Sequence, residues 1–325
     1  MTISLPTEKR NHILHLVEKF SSLPKCSLRD YAHLIGVLTA ACPAVRYGWV
    51  YTKQLERQKF IMLQDRSYDS KVRFTNEILP DLVWWSTHIN TTYNPIGNTN
   101  FDLEIFTDAS MTGWGAFSNN SRASGTWQEC EVIFHINYLE LLAVFFGLKC
   151  FAREKSNCNI LLRVDNTTAI SYVNRMGGVQ FPHLNNLARS IWQWCEERGI
   201  WLFASYINTK DNVEADEESR KVNPDVEWSL SESAFQTIVN AFGQANIDLF
   251  ASRTNAKCET YVSWQRDPEA LAVDAFTLNW NNLSFYAFPP FPLILKCLSK
   301  IINDKAEGIL VYPPMAFTTM VPTIK

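Results

Sequence analysis

Four acidic residues in distinct local patterns constrain this 325-residue chain more than any other feature. Asp108 and Asp165 each end a short apolar or alternating run, whereas Glu140 and Asp216 lie in helix-like segments. Carboxylates at neighbouring strand ends and on facing helices can converge on one point, where they repel one another unless cations bind. Hard oxygen ligands suit Mg²⁺ or Mn²⁺, and two such ions ~3.5–4 Å apart can clamp the attacking and leaving oxygens of a phosphodiester. The pattern therefore indicates a metal-dependent reaction at a phosphate ester.

Bulk composition narrows the partners and the compartment. The net charge of −3 gives no overall electrostatic signal for nucleic acid, so a polyanion must meet local basic surface or metal ions. The eight Cys are scattered without a Cys-x-x-Cys pair, which is typical of reduced thiols inside the cell. No signal-peptide pattern follows Met1, and no apolar run is long enough to span a membrane. We therefore expect an intracellular protein of the cytoplasm or nucleus, not a secreted one, with no membrane partner.

Residues 1–95 are predicted to be mostly helical. The expected helices cover 11–20, 31–42, a segment that ends near 59, and 76–87. Pro24 interrupts the first helical pattern, and Ser27 with Asp30 forms a candidate capping box ahead of the second helix. The polar, turn-rich segment 90–100 is predicted to be a linker.

Residues 101–222 alternate between strand-like and helix-like patterns. The expected strands cover 102–108, 113–118, 124–128, 159–165 and 200–207. The expected helices cover 138–153, a segment from 167, 185–198 with Gly199 as its C-cap, and a short stretch around Asp216. This order of elements predicts a mixed α/β sheet with flanking helices.

The pattern of residues 224–325, which starts at Pro224, predicts a second, smaller α/β unit. The expected helices cover 231–242 and 293–303, the short apolar segments cover 247–251 and 284–291, and a strand covers 308–312. Their strand-helix-strand rhythm is typical of an α/β packing unit.

The middle of the chain resembles the type 1 RNase H domain of reverse-transcribing elements. The matching motifs are Phe106–Ser110 with Gly113–Ala116, Leu139–Ala143, Val164–Asn166 and Asn212–Arg220. The family's order is a strand-end Asp, a helix Glu, a second strand-end Asp and a last Asp before Ser-Arg, and the resemblance is closest to DIRS-type, tyrosine-recombinase retrotransposons. It implies an RNase H-like fold, with a mixed five-stranded sheet and flanking helices, over residues 101–222.

The flanks extend the resemblance over nearly the whole chain. Thr2–Lys9 and Ser27–Gly36 look like the thumb and connection segments that follow a polymerase palm. Residues 1–95 would then be a helical thumb- and connection-like region, and residues 224–325 a degenerate or truncated methyltransferase-like α/β region. No Tyr-x-Asp-Asp motif occurs, so this chain is not expected to polymerise DNA.

The resemblance implies an endoribonuclease that hydrolyses the RNA strand of RNA–DNA hybrids. Asp108, Glu140, Asp165 and Asp216 would be both its catalytic residues and its metal ligands, for two Mg²⁺ or Mn²⁺ ions. Ser110 and Asn166, beside two of the carboxylates, would touch the hybrid backbone, which such enzymes recognise by shape and 2′-hydroxyls. The implied partners are the hybrid and the polymerase part of the same polyprotein.

Each acidic residue also fits a structural role. The alternatives are a capping box of Glu140 with Asn137, a helix cap for Asp165, a turn for Asp108, and a solvated helix face for Asp216. The matching alternative for the whole chain is a catalytically decayed retroelement fragment that only binds nucleic acid or a partner. The order and local frames of all four residues together favour the nuclease.

The chain departs from the family's pattern beside the last Asp. Tyr206, Asn208 and Thr209 stand where relatives often have His, Pro and Gly, which predicts slow catalysis if that His helps. Glu217 and Glu218 add negative charge beside Asp216, which predicts weaker hybrid binding or a displaced metal.

Two further features remain open. Asn246–Ser252 and Phe288–Phe291 resemble the cofactor-binding and Pro-Pro motifs of DNA adenine methyltransferase-like domains, but Phe288 replaces the polar residue that methyl transfer needs. A remnant fold without transfer activity is therefore favoured over a working methyltransferase. A set of cations in the thumb-like region could follow a duplex backbone or form a solvated helix face: Arg46, Lys53, Arg57 and Lys59.

Overall fold

The computed structural model describes residues 1–23, 25–73, 75–96, 100–221 and 229–312. The predicted breaks at Pro24 and Pro224 lie outside these residues, as does part of the predicted linker, 97–99. Within the described part of the chain, no helix is both long and apolar enough to cross a membrane.

The first 96 residues form four helices and four very short strands. Helices α1 to α4 cover Thr7–Ser22, Leu28–Ala41, Lys53–Asp65 and Leu79–His88. Strands β1 to β4 cover Thr2–Ile3, Cys26–Ser27, Lys71–Val72 and Asn94–Pro95. The predicted capping pair is confirmed, because Ser27 Oγ accepts from the Asp30 N–H at 3.0 Å and donates to Asp30 Oδ2 at 2.6 Å.

The segment predicted as a linker is partly a strand. β4 pairs antiparallel with β1, with Ile3 opposite Asn94. Arg10 on α1 donates to the carbonyls of Asn90 and Thr92, which holds the segment against the start of the chain. Its turn-rich composition carried no sign of this pairing, since the partner strand lies 90 residues away.

A mixed five-stranded sheet follows, as predicted. Its strands β5 to β9 cover Leu103–Ala109, Gly113–Ser118, Ser121–Thr126, Asn159–Val164 and Trp201–Tyr206. The order is β7-β6-β5-β8-β9, with β5, β6 and β7 antiparallel and β5, β8 and β9 parallel. β7 begins earlier than predicted, because Asn119 and Asn120 both have positive φ and close a tight hairpin.

Four helices flank this sheet. Helices α5 to α8 cover Ile136–Phe151, Thr167–Asn174, Pro182–Glu196 and Val213–Ser219. Because β5 and β8 run parallel, their carboxyl ends meet at one edge of the sheet. The connections that leave this edge lead into α6 and, through β6 and β7, into α5.

The N-terminal helices share a continuous hydrophobic core with this sheet. Polar contacts at the junction join α4 and the α2–α3 connection to α7 and to the start of β9. Tyr47 Oη donates to the Ile200 carbonyl at 2.9 Å, and Trp84 Nε1 donates to Glu196 Oε1 at 2.9 Å. The thumb-like region is therefore packed directly on the α7 side of the sheet.

Residues 229–312 form a second, fully parallel sheet. Helices α9 and α10 cover Glu232–Phe242 and Ile294–Asp304, and strands β10 to β14 cover Ile247–Asp248, Thr260–Ser263, Ala272–Val273, Phe285–Ala287 and Gly308–Leu310. The order is β12-β11-β10-β13-β14. β11 and β12 escaped prediction because four and two residues are too few to establish an alternating pattern.

A buried arginine docks this second sheet against the first. Arg253 donates from its two terminal nitrogens to the two carboxylate oxygens of Glu131, at 2.8 Å each. The guanidinium also lies 4.5 Å from the centroid of the Phe146 ring on α5 and donates to the Thr126 carbonyl. Both charged side chains are largely buried, so their attraction is screened much less than that of a surface pair.

We expect replacement of either partner to loosen this junction. Arg253→Leu leaves the Glu131 carboxylate buried without its cation and should lower the free energy of unfolding by about 3 kcal/mol or more. The double variant Arg253→Met/Glu131→Leu removes both charges and should recover most of that loss. Denaturation followed by tryptophan fluorescence measures both, and single variants as stable as the wild type would show that this pair does not hold the junction.

Candidate metal centre

Three of the four predicted carboxylates converge at the edge of the first sheet. Asp108 on β5, Glu140 on α5 and Asp165 just after β8 each offer an oxygen, and these oxygens all lie within 4.8 Å of one another. The parallel pairing of β5 and β8 brings the two aspartates together, while α5 packs on β5 and presents Glu140. Glu140 and Asp165 follow Asp108 by 32 and 57 positions in the sequence, yet the three residues form one acidic group.

Asp108 is a buried strand residue, not a turn residue. It pairs with Gly115 across β5 and β6, and its Oδ2 accepts from Ser219 Oγ at 2.6 Å. Burial raises the pKa of its carboxyl to about 6, and the nearby Asp165 and Asp216 charges add to that rise. The hydrogen bond from Ser219 opposes the shift, because it stabilises the ionised form.

Glu140 is the second buried carboxylate of the group. The predicted capping box with Asn137 is wrong, because the N-cap of α5 is His135, whose ring accepts from the Asn137 N–H. Glu140 Oε2 is buried and has no hydrogen-bond partner among the described residues. Burial raises the pKa of this carboxyl to about 9, with further contributions from Asp108 and Asp165. A buried acceptor without a partner needs an explanation, and a bound ion is one that fits its position among two further carboxylates.

Asp165 is half-buried and does not cap the following helix. That role belongs to Asn166, whose Oδ1 accepts from the Ala169 N–H at 3.0 Å. Asp165 Oδ2 instead accepts from Thr209 Oγ1 at 2.7 Å. Thr209 was noted in the sequence only as a departure from the family, and its contact with Asp165 depends on the path of the loop after β9.

Asp216 lies on α8, close to the group but committed to another partner. Its Oδ1 accepts from Arg220 Nε and Nη2 at 3.0 and 2.7 Å, so an i,i+4 ion pair holds the carboxylate. α8 sits directly on β6, since a Cβ added to Gly115 would lie only 2.2 Å from the Ala215 carbonyl oxygen. Gly115 and Ser219 are therefore site-building residues that the sequence prediction missed, although the Gly-x-Gly at 113–115 was a signal for close backbone approach.

The two predicted nucleic-acid contacts hold the site together internally. Ser110 Oγ is buried, donates to the Ser219 carbonyl at 2.6 Å and accepts from the Gly113 N–H. Asn166 Nδ2 donates to Asn137 Oδ1 at 3.0 Å, which ties the start of α6 to α5. Contact of either residue with nucleic acid stays a prediction.

The extra charges beside Asp216 face away from the acidic group. Glu218 is buried, accepts from Ser124 Oγ at 2.8 Å, and forms ion pairs with Arg122 and Lys221. Glu217 also pairs with Arg122. Cations therefore balance both added charges, and weaker hybrid binding or a displaced metal stays a prediction.

The donor set fits a hard divalent cation. It offers carboxylate oxygens only, one of them buried without a partner among the described residues, and the charges of Asp108 and Asp165 add to the burial that raises the pKa of Glu140. A divalent ion would relieve the repulsion and supply the missing partner of Glu140.

Of the set of four cations in the N-terminal region, three form hydrogen bonds or ion pairs with other residues of the protein. Their partners are the carbonyl of Gly199 for Arg46, the carboxylate of Glu56 for Lys53, and the carbonyls of Val179 and Gln180 for Arg57. The two alternatives for the set, a surface along a duplex backbone or a solvated helix face, stay predictions.

The methyltransferase-like motifs meet in the second sheet. β10 and β13 are neighbours, and a cavity of about 310 Å³ opens beside residues 249–254 and 263–267. The carboxylate of Asp248 accepts hydrogen bonds from the backbone N–H groups of Phe250 and Lys257. The interpretation of this unit as a remnant without transfer activity stays a prediction.

Comparison with known proteins finds a protein that is similar in sequence and several solved structures that are similar in fold. No protein-family model matches the chain. It is 31% identical over 173 residues to Protein P of hepatitis B virus genotype D subtype ayw, isolate Japan/JYW796/1988. That match covers 52% of this chain and 18% of the relative, so the chain spans less than a fifth of that relative's length.

Among solved structures, the chain is similar to RNase H1 from the halophilic archaeon Halobacterium salinarum NRC-1, with 17% identity, 36% of this chain and 92% of that chain covered, and a TM-score of 0.30. It is also similar to LC11-RNase H1 in complex with an RNA/DNA hybrid, with 20% identity, 36% and 93% covered, and a TM-score of 0.31. A third similarity is to the foamy viral protease-reverse transcriptase in complex with double-stranded DNA, with 12% identity, 62% and 35% covered, and a TM-score of 0.27. None of these structural similarities by itself assigns an activity.

The raised pKa values predict how stability without divalent ions depends on pH. Both Asp108 and Glu140 hold their protons more tightly in the folded chain than at their ordinary pKa values of 3.8 and 4.5. Their contribution is therefore fully present at low pH and is lost as pH rises towards about 6 for Asp108 and about 9 for Glu140. In the presence of a chelator, the free energy of unfolding should fall between about pH 5 and pH 8, by on the order of 1.4 kcal/mol per pH unit for each group that is between its ordinary and its raised pKa.

Glu140→Gln should flatten this dependence, because the amide does not titrate. Glu129→Gln, at an exposed position outside the group, is the matched control and should keep the wild-type slope. Urea denaturation at a series of pH values measures all three proteins. A wild-type curve that rises over this range, or a Glu140→Gln curve with the same slope, would contradict the burial of these charges.

Proposed function

We propose that this chain is a metal-dependent endoribonuclease that hydrolyses the RNA strand of RNA–DNA hybrids, within the reverse transcriptase polyprotein of a DIRS-type retrotransposon. The observation that carries the proposal is the convergence of Asp108, Glu140 and Asp165 from three separate elements, with a buried Glu140 oxygen left without a partner. Structural carboxylates are normally paired with cations or hydrogen-bond donors. Here none of the three carboxylates forms an ion pair with a described residue, and one Glu140 oxygen has no hydrogen-bond partner among them.

The similarity to Protein P supports a retroelement reverse transcriptase and RNase H setting. Because the match covers only 18% of that relative, the polyprotein, its polymerase part as a partner, and the DIRS-type assignment all belong to the proposal. The DIRS-type assignment rests on the motifs of the chain itself.

Asp108, Glu140 and Asp165 would hold the divalent ions, and Asp216 would join them once it leaves Arg220. When bound, Mg²⁺ or Mn²⁺ would neutralise charge on the attacking and leaving oxygens of the phosphodiester. The choice between these metals and the use of two of them are part of the proposal.

The surrounding side chains fix the acidic group in place. Ser219 orients Asp108, Thr209 orients Asp165, and the Asn166–Asn137 hydrogen bond joins α6 to α5 beside Glu140. In-line displacement at phosphorus depends on positioning and charge neutralisation more than on a side-chain base, so the missing loop His does not abolish the reaction. Asn166, half-buried at the rim, is the proposed contact to the hybrid backbone, and buried Ser110 acts by holding α8.

Asp108→Asn should remove cleavage of a labelled RNA–DNA hybrid in Mg²⁺ or Mn²⁺, with a loss of at least about 100-fold. Calorimetry should detect Mg²⁺ uptake by the wild type and none by Asp108→Asn. Glu217→Gln, an exposed carboxylate on the same helix as Asp216, is the matched control and should keep both properties.

Equal cleavage by wild type and Asp108→Asn would refute the nuclease, as would absence of metal uptake by the folded wild type. Hybrid binding without cleavage by either protein would instead identify the catalytically decayed binding module.

Arg220→Gln should make metal binding easier. The Arg220 guanidinium occupies the carboxylate of Asp216, and a metal ion has to compete with it. Because the Arg220 side chain is largely exposed, the ion pair is weak. Loss of this pair should lower the Mg²⁺ concentration needed for half-maximal cleavage by roughly threefold. Arg29→Gln breaks an exposed Arg–Asp pair elsewhere and is the control. An unchanged or higher Mg²⁺ requirement in Arg220→Gln would exclude Asp216 from the metal site.

A further inference from the structure

A second charged cluster lies on the short ladder formed by β2 and β3. Cys26 and Val72 pair across this ladder and point into the core. Because side chains alternate along a strand, the neighbouring residues Lys25, Lys71 and Arg73 lie on the opposite, exposed face. Lys71 thus lies on the exposed face of the ladder, and Lys25 and Arg73 flank its two strands on that face.

The end of α3 adds a fourth cation. Arg66 immediately follows the last residue of that helix, and it lines a cavity of about 370 Å³ together with Lys25, Lys71, Arg73 and Met62. Among the described residues, none that lines this cavity is acidic. We call these four cations, Lys25, Arg66, Lys71 and Arg73, the basic cluster.

The basic cluster is not neutralised by the fold. None of its members forms an ion pair with any described residue, and the nearby Asp69 is paired with Arg29 instead. Asp65 precedes Arg66 on α3 but does not line the cavity. Extending the register of Cys26 with Val72 by one residue sets Lys25 opposite Arg73, a like-charge pair that opposes the ladder. The arrangement is a cost to folding that a bound anion would remove.

Helix α3, which ends next to Arg66, contacts the part of the chain that carries the acidic group. Earlier on α3, Arg57 donates to the carbonyls of Val179 and Gln180, in the loop that precedes α7. From Arg57 to Arg66 the helix rises about 13 Å, so α3 connects this loop directly to the cluster. Arg46, Lys53 and Arg57 make such internal contacts, whereas the four members of the basic cluster form no ion pair with a described residue.

We propose that the basic cluster binds backbone phosphates of the nucleic-acid duplex whose RNA strand enters the acidic group, so this inference rests on the proposed nuclease function. Lys and Arg side chains contact phosphates without reading sequence, which suits a substrate recognised by shape. An acidic protein partner is the less favoured occupant, because protein interfaces have an aromatic or apolar centre and this cavity offers Met62 alone.

The test uses the full chain with Lys71→Gln/Arg73→Gln, in an Asp108→Asn background that prevents cleavage during the measurement. Fluorescence anisotropy of a labelled hybrid should give a Kd about tenfold higher than that of the Asp108→Asn parent, and a slope of log K against log salt that is smaller by about 2. Lys9→Gln/Lys19→Gln removes two exposed cations from α1 with the same change in net charge, and should bind as the parent does. Repeating the titration with a DNA duplex separates a contact to any duplex backbone from one limited to the hybrid.

An unchanged Kd and salt slope in Lys71→Gln/Arg73→Gln would overturn the proposal, and so would an equal loss in Lys9→Gln/Lys19→Gln. Thermal melting guards against misfolding, because removal of like charges should leave the melting temperature unchanged or higher. With Asp108 restored, the same double variant should raise KM for the hybrid and leave kcat unchanged. Since binding is measured without cleavage, failure of the nuclease proposal appears in the wild-type cleavage test and not here.

Discussion

The crowding of three carboxylates at one buried edge is the interaction on which the rest of the site depends. Ionised groups this close and this dry repel strongly, and the fold answers by raising the pKa values of Asp108 and Glu140 to about 6 and 9. A surface group would simply turn towards water, but β5 and α5 are packed too tightly for that. The repulsion therefore follows from the positions of the backbone elements, and a bound hard cation would relieve it.

Helix α8, more than a hundred residues after Asp108 in the sequence, holds this edge of the sheet in place. α8 brings Ser219 to Asp108, rests on the bare backbone of Gly115, and is fastened by Ser110 to the turn after β5. The same helix carries Asp216 and directs Glu218 away to Arg122 on β7. One short helix thus orients the central aspartate, offers a fourth carboxylate and keeps surplus charge out of the site.

The order of strands and helices in the first sheet, and three converging carboxylates, could be predicted because those signals are local. Alternation over six or seven residues marks β5 and β8, and parallel strands place their ends together. What escaped prediction depends on distant partners: the pairing of β1 with β4, the contact of Thr209 with Asp165, and the cations that balance Glu218. The N-cap of α5 was misplaced by two residues, since His135 is an uncommon cap and Asn137 a favoured one.

Charge is distributed in a way that links the two clusters. A phosphate backbone approaching the acidic edge meets like charge until cations have bound there, so the edge cannot itself provide the first attraction. The chain as a whole carries a net charge of −3, and several of its arginines, such as Arg57 and Arg253, are committed to internal contacts. Attraction must then come from cations that the fold leaves without partners. The basic cluster on β2 and β3 meets that condition, and α3 holds it at a fixed distance from the loop that precedes α7.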